Sequence, residues 1–125
     1  MSVDNINHPP HYTKHPSGAE CIDFTGHMDF LLGNAFKYVW RYEYKNGTED
    51  LEKAIWYMDT YLRQPRVGWL TKLRRIFNDD PPVHVLDYAR DSTLLNIYNS
   101  WLYDDRRLLR LVKEELEAMV KGRRT

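Results

Sequence analysis

Residues 30 to 63 carry two amphipathic stretches hinged on a single Asn46-Gly47 pair, and this arrangement constrains the fold more than any other feature of the chain. From about Phe30 to Tyr44, Leu31, Ala35, Val39 and Tyr42, with Leu32 and Phe36 beside them, fall on one stripe of a helix. Leu51, Ala54, Ile55, Met58 and Leu62 repeat the 3.6-residue period to about Arg63, and Pro65 ends it. Thr48 is placed to act as the N-cap of the second stretch, with Glu49 and Asp50 favouring its positive end. A connection of about four residues, Lys45 to Thr48, is the length typical of two antiparallel helices. The spacing therefore predicts a helical hairpin.

The remaining segments are punctuated by proline and glycine. Pro9, Pro10 and Pro16 exclude a regular helix from residues 1 to 17, which are expected to form an extended arm. The next segment, about Ala19 to Met28, is read as a short helix in preference to a loop. Beyond Gly68, Trp69, Leu70, Leu73, Ile76 and Phe77 sketch a short amphipathic helix with Lys72, Arg74 and Arg75 on its wet side. Asp79-Asp80-Pro81-Pro82 breaks it, and Val83 to Leu86 reads as helix or loop. Ser92 or Thr93 is expected to cap a helix carrying Leu94 to Leu102. Asp104 or Asp105 is expected to cap the last one, from Arg106 to about Lys121, with Gly122 stopping it. The expected fold is a single all-α domain: an arm (1–17), a hairpin core (18–63) and additional helices (64–125).

Eighteen basic residues balance eighteen acidic ones, so coating of bulk nucleic acid by net charge is not expected. The basic residues of the last helix, Arg106, Arg107, Arg110, Lys121, Arg123 and Arg124, are interleaved with acids and read as a solvated face. One cysteine, Cys21, cannot form an internal disulfide, no N-terminal apolar run resembles a signal peptide, and no window approaches a membrane span. A cytoplasmic setting without membrane insertion is expected. Nine tyrosines and four tryptophans exceed the four phenylalanines, and rings with polar handles suit pockets and interfaces, so a homo-oligomer is expected.

On the first predicted helix, Asn34, Lys37, Tyr38 and Arg41 lie one turn apart on one face. Together they offer an amide, an ammonium, a phenol and a guanidinium, a combination suited to an anion such as phosphate. The hairpin would bring Lys53 and Tyr57 near them, with Asp50 orienting a cation. Arg41 is the strongest single choice, because a guanidinium forks onto phosphate oxygens; its structural alternative is a salt bridge to Asp50 or Glu49. In the arm, His11 would donate to a phosphate and Tyr12 stack on a base if the arm folds over the hairpin. A metal cluster of His8, His11 and His15 is disfavoured on a proline-broken segment with no committed fourth ligand. Trp40, Trp56 and Tyr57 read as core or interface residues, and Cys21 as a small buried apolar group.

The ordered series His8-Pro-Pro-His11-Tyr12, Glu20-Cys-Ile-Asp23, Gly33-Asn34-Ala-Phe-Lys37-Tyr38-Val-Trp-Arg41, Lys45 and Asp50-Leu-Glu-Lys53-Ala-Ile-Trp-Tyr57 resembles a family of small phage proteins called nucleotide kinase-like or uncharacterised. The resemblance covers about residues 8 to 62. It implies a phage origin, a nucleotide-type ligand, and His11, Tyr12, Asn34, Lys37, Tyr38, Arg41, Lys45, Asp50 and Lys53 as ligand-binding positions. The chain lacks the Gly-x-x-x-x-Gly-Lys-Ser/Thr loop of familiar kinases. The expectation is therefore a binding protein that holds a nucleotide or cyclic-nucleotide signal, as in sequestration of a host defence signal. A nucleoside monophosphate kinase of unusual design, using Mg2+ held by Asp50 or Glu20, is the first alternative, and a structural assembly protein the second.

Overall fold

The computed structural model describes residues 15–78 and 83–124. Among these residues every regular element is helical: α1 (Ile22–Thr25), α2 (Phe30–Arg41), α3 (Thr48–Leu62), α4 (Trp69–Asn78), a 3₁₀ turn (Val83–Val85), α5 (Tyr88–Tyr103) and α6 (Arg106–Arg124). None of these helices is long and apolar enough to cross a membrane. The all-α architecture on an antiparallel hairpin is as the periodicity predicts. His11 and Tyr12, and the arm as far as residue 14, lie outside the described residues.

Asp29 starts α2 by accepting the Leu32 N–H at 2.8 Å, which satisfies one of the free amides at a helix start. Leu32, Ala35, Phe36, Val39 and Trp40 are then buried, and Phe36 and Trp40 both pack against Phe24 of α1. The helix stops at Arg41 rather than Tyr44. Gly47 closes the turn with φ +53°, a left-handed conformation that a side chain resists, and its N–H reaches back to the Tyr42 carbonyl at 2.8 Å. Gly47, not Thr48, occupies the N-cap, so the expected Thr48 hydroxyl cap does not form. From there Leu51, Ala54, Met58 and Tyr61 line the inner face of α3, and α2 packs along it.

α6 lies on the other side of α3, and α5 bridges α2 and α6, which closes a four-helix core. α5 begins at Tyr88, capped by Asp87, and kinks at Asp91 (φ −109°, ψ 22°). The start expected at Ser92 or Thr93 therefore coincides with a kink inside a longer helix. Of the two aspartates considered for α6, Asp105 is the cap, accepting the Leu108 N–H at 3.0 Å. Gly122 does not stop α6, which continues to Arg124. Arg106 is buried, contrary to the solvated reading of that helix.

α4 departs furthest from expectation. Arg75, assigned to the wet side, instead anchors the helix, donating to the Trp101 carbonyl at 2.6 Å with its guanidinium 4.7 Å from that ring's centre. Trp69, Leu70, Leu73, Ile76 and Phe77 are exposed, and so are Thr71 and Arg74, the latter as expected.

Candidate functional site

The hairpin gathers its cations around one phenol ring. From the Tyr38 centroid, the Lys37 ammonium is 4.5 Å away, the Arg41 guanidinium 4.7 Å and the Lys53 ammonium 5.4 Å, all within cation–π range. Tyr57, one turn beyond Lys53 on α3, stacks on Tyr38 at 5.9 Å with the planes 17° apart. Phe30 and Trp56 meet Tyr57 edge-on at 6.0 and 5.0 Å, and both are largely exposed. The two helices therefore gather three cationic side chains, with Arg41 buried beneath Lys37 and Lys53, beside a solvent-facing aromatic cluster.

The individual roles divide. Arg41 and Asp50 are buried, 7 % and 0 % exposed, and joined as a fork: Nε donates to Oδ2 at 3.2 Å and Nη2 to Oδ1 at 3.1 Å. Asp50 also accepts the Asn46 N–H at 3.3 Å, so the pair ties the turn to both helices. The salt bridge named as the structural alternative for Arg41 is present. Lys53 pairs with Glu49 at 3.3 Å rather than with Asp50. Among the described residues, Lys37 has no carboxylate within ion-pair distance, which makes its ammonium the most available charge on this face. Asn34 donates to the Phe30 carbonyl of its own helix at 2.9 Å, leaving its amide oxygen as the group to offer a ligand. Lys45 is exposed in the turn.

Cys21 is buried close enough to this face for Lys37, Arg41 and Asp23 to act on it. Burial dominates and pushes its thiol up to about 12, so it is an inert thiol at neutral pH. Among the described residues no three histidine, cysteine or carboxylate side chains gather as a metal site. Asp50, considered as a magnesium holder, has both oxygens engaged by Arg41.

A separate cavity of about 200 Å³ lies where the end of the arm meets α2, α5 and α6, lined by His15, Trp40, Tyr42, Arg90, Asp91 and Met119 among others. Among the described residues, none of the predicted ligand positions lines it. His15 stacks on Trp40 at 5.3 Å, and its Nε2 lies 3.0 Å from Asp91. Burial alone would raise the Asp91 carboxyl, but hydrogen bonds from the Asp87 N–H, His15 and Arg90 outweigh it and hold the group below the usual carboxylate range. The cavity is smaller than the roughly 300–1,000 Å³ usual for small-molecule sites, and its charged groups are already paired. It reads as the anchorage of the arm.

The structure thus brings Lys37, Tyr38, Arg41, Asp50 and Lys53 together, and places Asn34 and Lys45 on or beside the same helix. The sequence reading undervalued Tyr57, whose position four residues after Lys53 was the available signal. Nothing in the sequence pointed to Asp91, 76 residues from His15. No curated protein and no solved structure matches the chain. Residues 6–59, a span that takes in every predicted ligand position from His11 to Lys53, match the model of a family described as a protein of unknown function, DUF3310.

Proposed function

We propose that the outer face of the α2–α3 hairpin binds a nucleotide, with Lys37 and Lys53 taking phosphate oxygens and the Tyr57, Trp56 and Phe30 rings taking the base. The observation that carries the proposal is the convergence of three cations on the Tyr38 ring, with Lys37 lacking a carboxylate partner. Like charges held this close repel one another, and a bound phosphate relieves that repulsion while forming charge-assisted hydrogen bonds. Exposed rings beside the cations supply the stacking surface a base requires, worth about 1–3 kcal/mol per base in stacking sites. Arg41 and Asp50 act from beneath, fixing the hairpin that carries the two lysines.

In the phage setting that the motif series implies, such a protein holds a nucleotide or cyclic-nucleotide signal of the infected cell. A second reading, phosphoryl transfer between nucleotides, is favoured by Lys37 and Lys53 approaching the same ring from different helices, since two ammonium groups can hold more than one phosphate.

The test mixes the purified chain with nucleotides and cyclic dinucleotides plus Mg2+, removes unbound material, denatures the protein and identifies what is released by mass spectrometry. Intact ligand in stoichiometric amount supports capture. Phosphorylated product exceeding the protein concentration and dependent on Mg2+ makes the protein a kinase. No retained or altered nucleotide, or retention unchanged in Lys37→Gln, overturns the proposed site.

A further inference from the structure

His15-Pro16-Ser17-Gly18 is a β-turn, closed by the Gly18 N–H on the His15 carbonyl at 3.0 Å, with proline and glycine at the second and fourth places that such turns favour. It folds Ser17 back onto the imidazole of the turn's first residue. Ser17 Oγ lies 2.7 Å from His15 Nδ1, and on the far side of the ring Nε2 lies 3.0 Å from Asp91 Oδ2. Hydroxyl, imidazole and carboxylate therefore follow one another in the order by which serine nucleophiles are activated, with Nδ1 in place of Nε2 beside the hydroxyl.

The hydrogen bonds fix the proton positions. A backbone N–H only donates, and that of Ser17 meets Nδ1 at 3.2 Å, so Nδ1 holds the lone pair and Nε2 carries the proton given to Asp91. The Ala19 N–H donates to Ser17 Oγ at 3.1 Å, which directs the hydroxyl proton to Nδ1. Asp91 stays ionised through the Asp87 N–H and Arg90. The His15 and Asp91 side chains are 6 % and 7 % exposed, and Trp40 stacks on the imidazole, whereas Ser17 is exposed. A dry, fixed base thus serves a hydroxyl that dissolved molecules can reach. We propose that Ser17 is an acyl-accepting nucleophile, with His15 as its general base and Asp91 as the positioning residue.

Ser17 Oγ attacks the acyl carbonyl carbon while its proton passes to His15 Nδ1, and Asp91 stabilises the imidazolium. The bond to the leaving group then breaks, and that group departs as a thiol or alcohol with the proton from Nδ1. Water attacks the acyl-serine ester and gives a proton to Nδ1, and the carboxylic acid leaves as Ser17 Oγ takes that proton back. Protonation of Nδ1 ends its bond to the Ser17 N–H, which frees this amide for the oxyanion. The amides of Gly18, Ala19 and Glu20 are already engaged, so the turn offers the oxyanion one donor. A missing oxyanion donor costs about 10²–10³ in rate, which restricts the site to reactive acyl donors, thioesters and aryl esters, and excludes amides. The cavity of about 200 Å³ lined by His15, Pro16 and Trp40, with Leu94, Leu116 and Met119, suits a short acyl chain. The site is independent of the nucleotide reading, since none of the hairpin's cations takes part.

The experiment treats the full chain with a fluorophosphonate probe, maps the adduct by mass spectrometry, and follows 4-nitrophenyl butyrate as substrate. Ser17 is expected to be labelled at least about a hundredfold faster in the folded chain than in urea, the scale of general-base assistance. This comparison needs no variant. Ser17→Ala, at an exposed position, is expected to abolish the adduct and the ester turnover with the circular dichroism unchanged. Asp91→Asn keeps the shape of the side chain but lets an amide donate to Nε2, which moves the ring proton to Nδ1. It is expected to lower kcat at least about a hundredfold with KM unchanged, whereas a loosened arm would change both. No adduct, an adduct on another residue, equal labelling in the folded and unfolded chain, turnover above that of the unfolded chain in Ser17→Ala, or KM moving with kcat in Asp91→Asn would each overturn the proposal.

Discussion

Arg41 and Arg106 are both buried against an aspartate, but they hold different things together. Arg41 spends its fork on both oxygens of Asp50, nine residues away across one turn. Arg106 gives Asp104 a single hydrogen bond at 3.1 Å and turns its other nitrogens to the carbonyls of Gln64 at 2.6 Å, Pro65 at 2.9 Å and Leu62 at 3.3 Å. Those carbonyls lie at the end of α3, where backbone acceptors lack helical partners and the helix dipole favours a cation. Asp104, left-handed at φ 49°, also accepts from the Tyr61 hydroxyl at 2.7 Å and the Val67 N–H at 3.0 Å. The first pair staples a local turn. The second joins chain segments about forty residues apart, so it carries the docking of the C-terminal helices onto the hairpin.

That difference fixes an order of damage. Arg106→Ala removes the groups facing one carboxylate and three carbonyls at once, and is expected to cost about 3–5 kcal/mol in denaturant unfolding. Asp50→Ala removes the carboxylate that accepts from Arg41 and the Asn46 N–H within one turn, and is expected to cost about 3 kcal/mol, the lower end of that range. Arg41→Lys should recover little of an Arg41→Ala loss, because an ammonium cannot reproduce the fork. Equal losses for Arg106→Ala and Asp50→Ala would mean that the three carbonyl contacts add nothing, and the contrast between staple and junction would fail.

Asp104→Asn sharpens the comparison more gently. Asparagine tolerates the left-handed backbone and keeps an oxygen for Val67, so the expected loss is about 1–2 kcal/mol. Its pH dependence identifies the charge. Burial alone would raise the Asp104 carboxyl, yet the Tyr61, Val67 and Arg106 hydrogen bonds hold it below its ordinary value. A carboxylate depressed in the folded state contributes stability that is complete above the unfolded value, about 3.9, and is lost as pH falls through the folded value. The stability gap between wild type and Asp104→Asn should stay level from neutrality to about pH 5 and narrow below about pH 4. A gap unchanged in acid would assign the effect to shape rather than charge.

The same division explains what could be read from the sequence. The hairpin, its Asn46-Gly47 turn, the gathering of Lys37, Tyr38, Arg41 and Lys53, and the alternative of an Arg41–Asp50 bridge all follow from spacings of a few residues. Helical periodicity and turn chemistry act over that range. Arg106 with the Leu62, Gln64 and Pro65 carbonyls, and His15 with Asp91, depend on pairings across 41 to 76 residues that no local pattern encodes. α4 shows a subtler limit. Its amphipathic pattern was legible, but periodicity shows only that two faces differ, and the contact of Arg75 with Trp101 is a pairing across 26 residues.

The smallest expected change in stability carries the most information about the ligand face. Lys37 and Arg41 lie on one turn of α2 and both approach the Tyr38 ring, yet Arg41 is closed on Asp50 while Lys37 has no carboxylate partner among the described residues. Lys37→Gln therefore removes a partly exposed charge and one cation–π contact, and relieves some repulsion from Lys53 and Arg41. These terms oppose one another, so unfolding stability should move by no more than about 0.5 kcal/mol in either direction. Nucleotide retention should nevertheless fall, because the charge removed is the one not engaged in holding the fold. A loss of 2 kcal/mol or more in Lys37→Gln would place this lysine with Arg41 as a structural residue and leave Lys53, already paired with Glu49, as the phosphate-binding charge beside the Tyr38 ring.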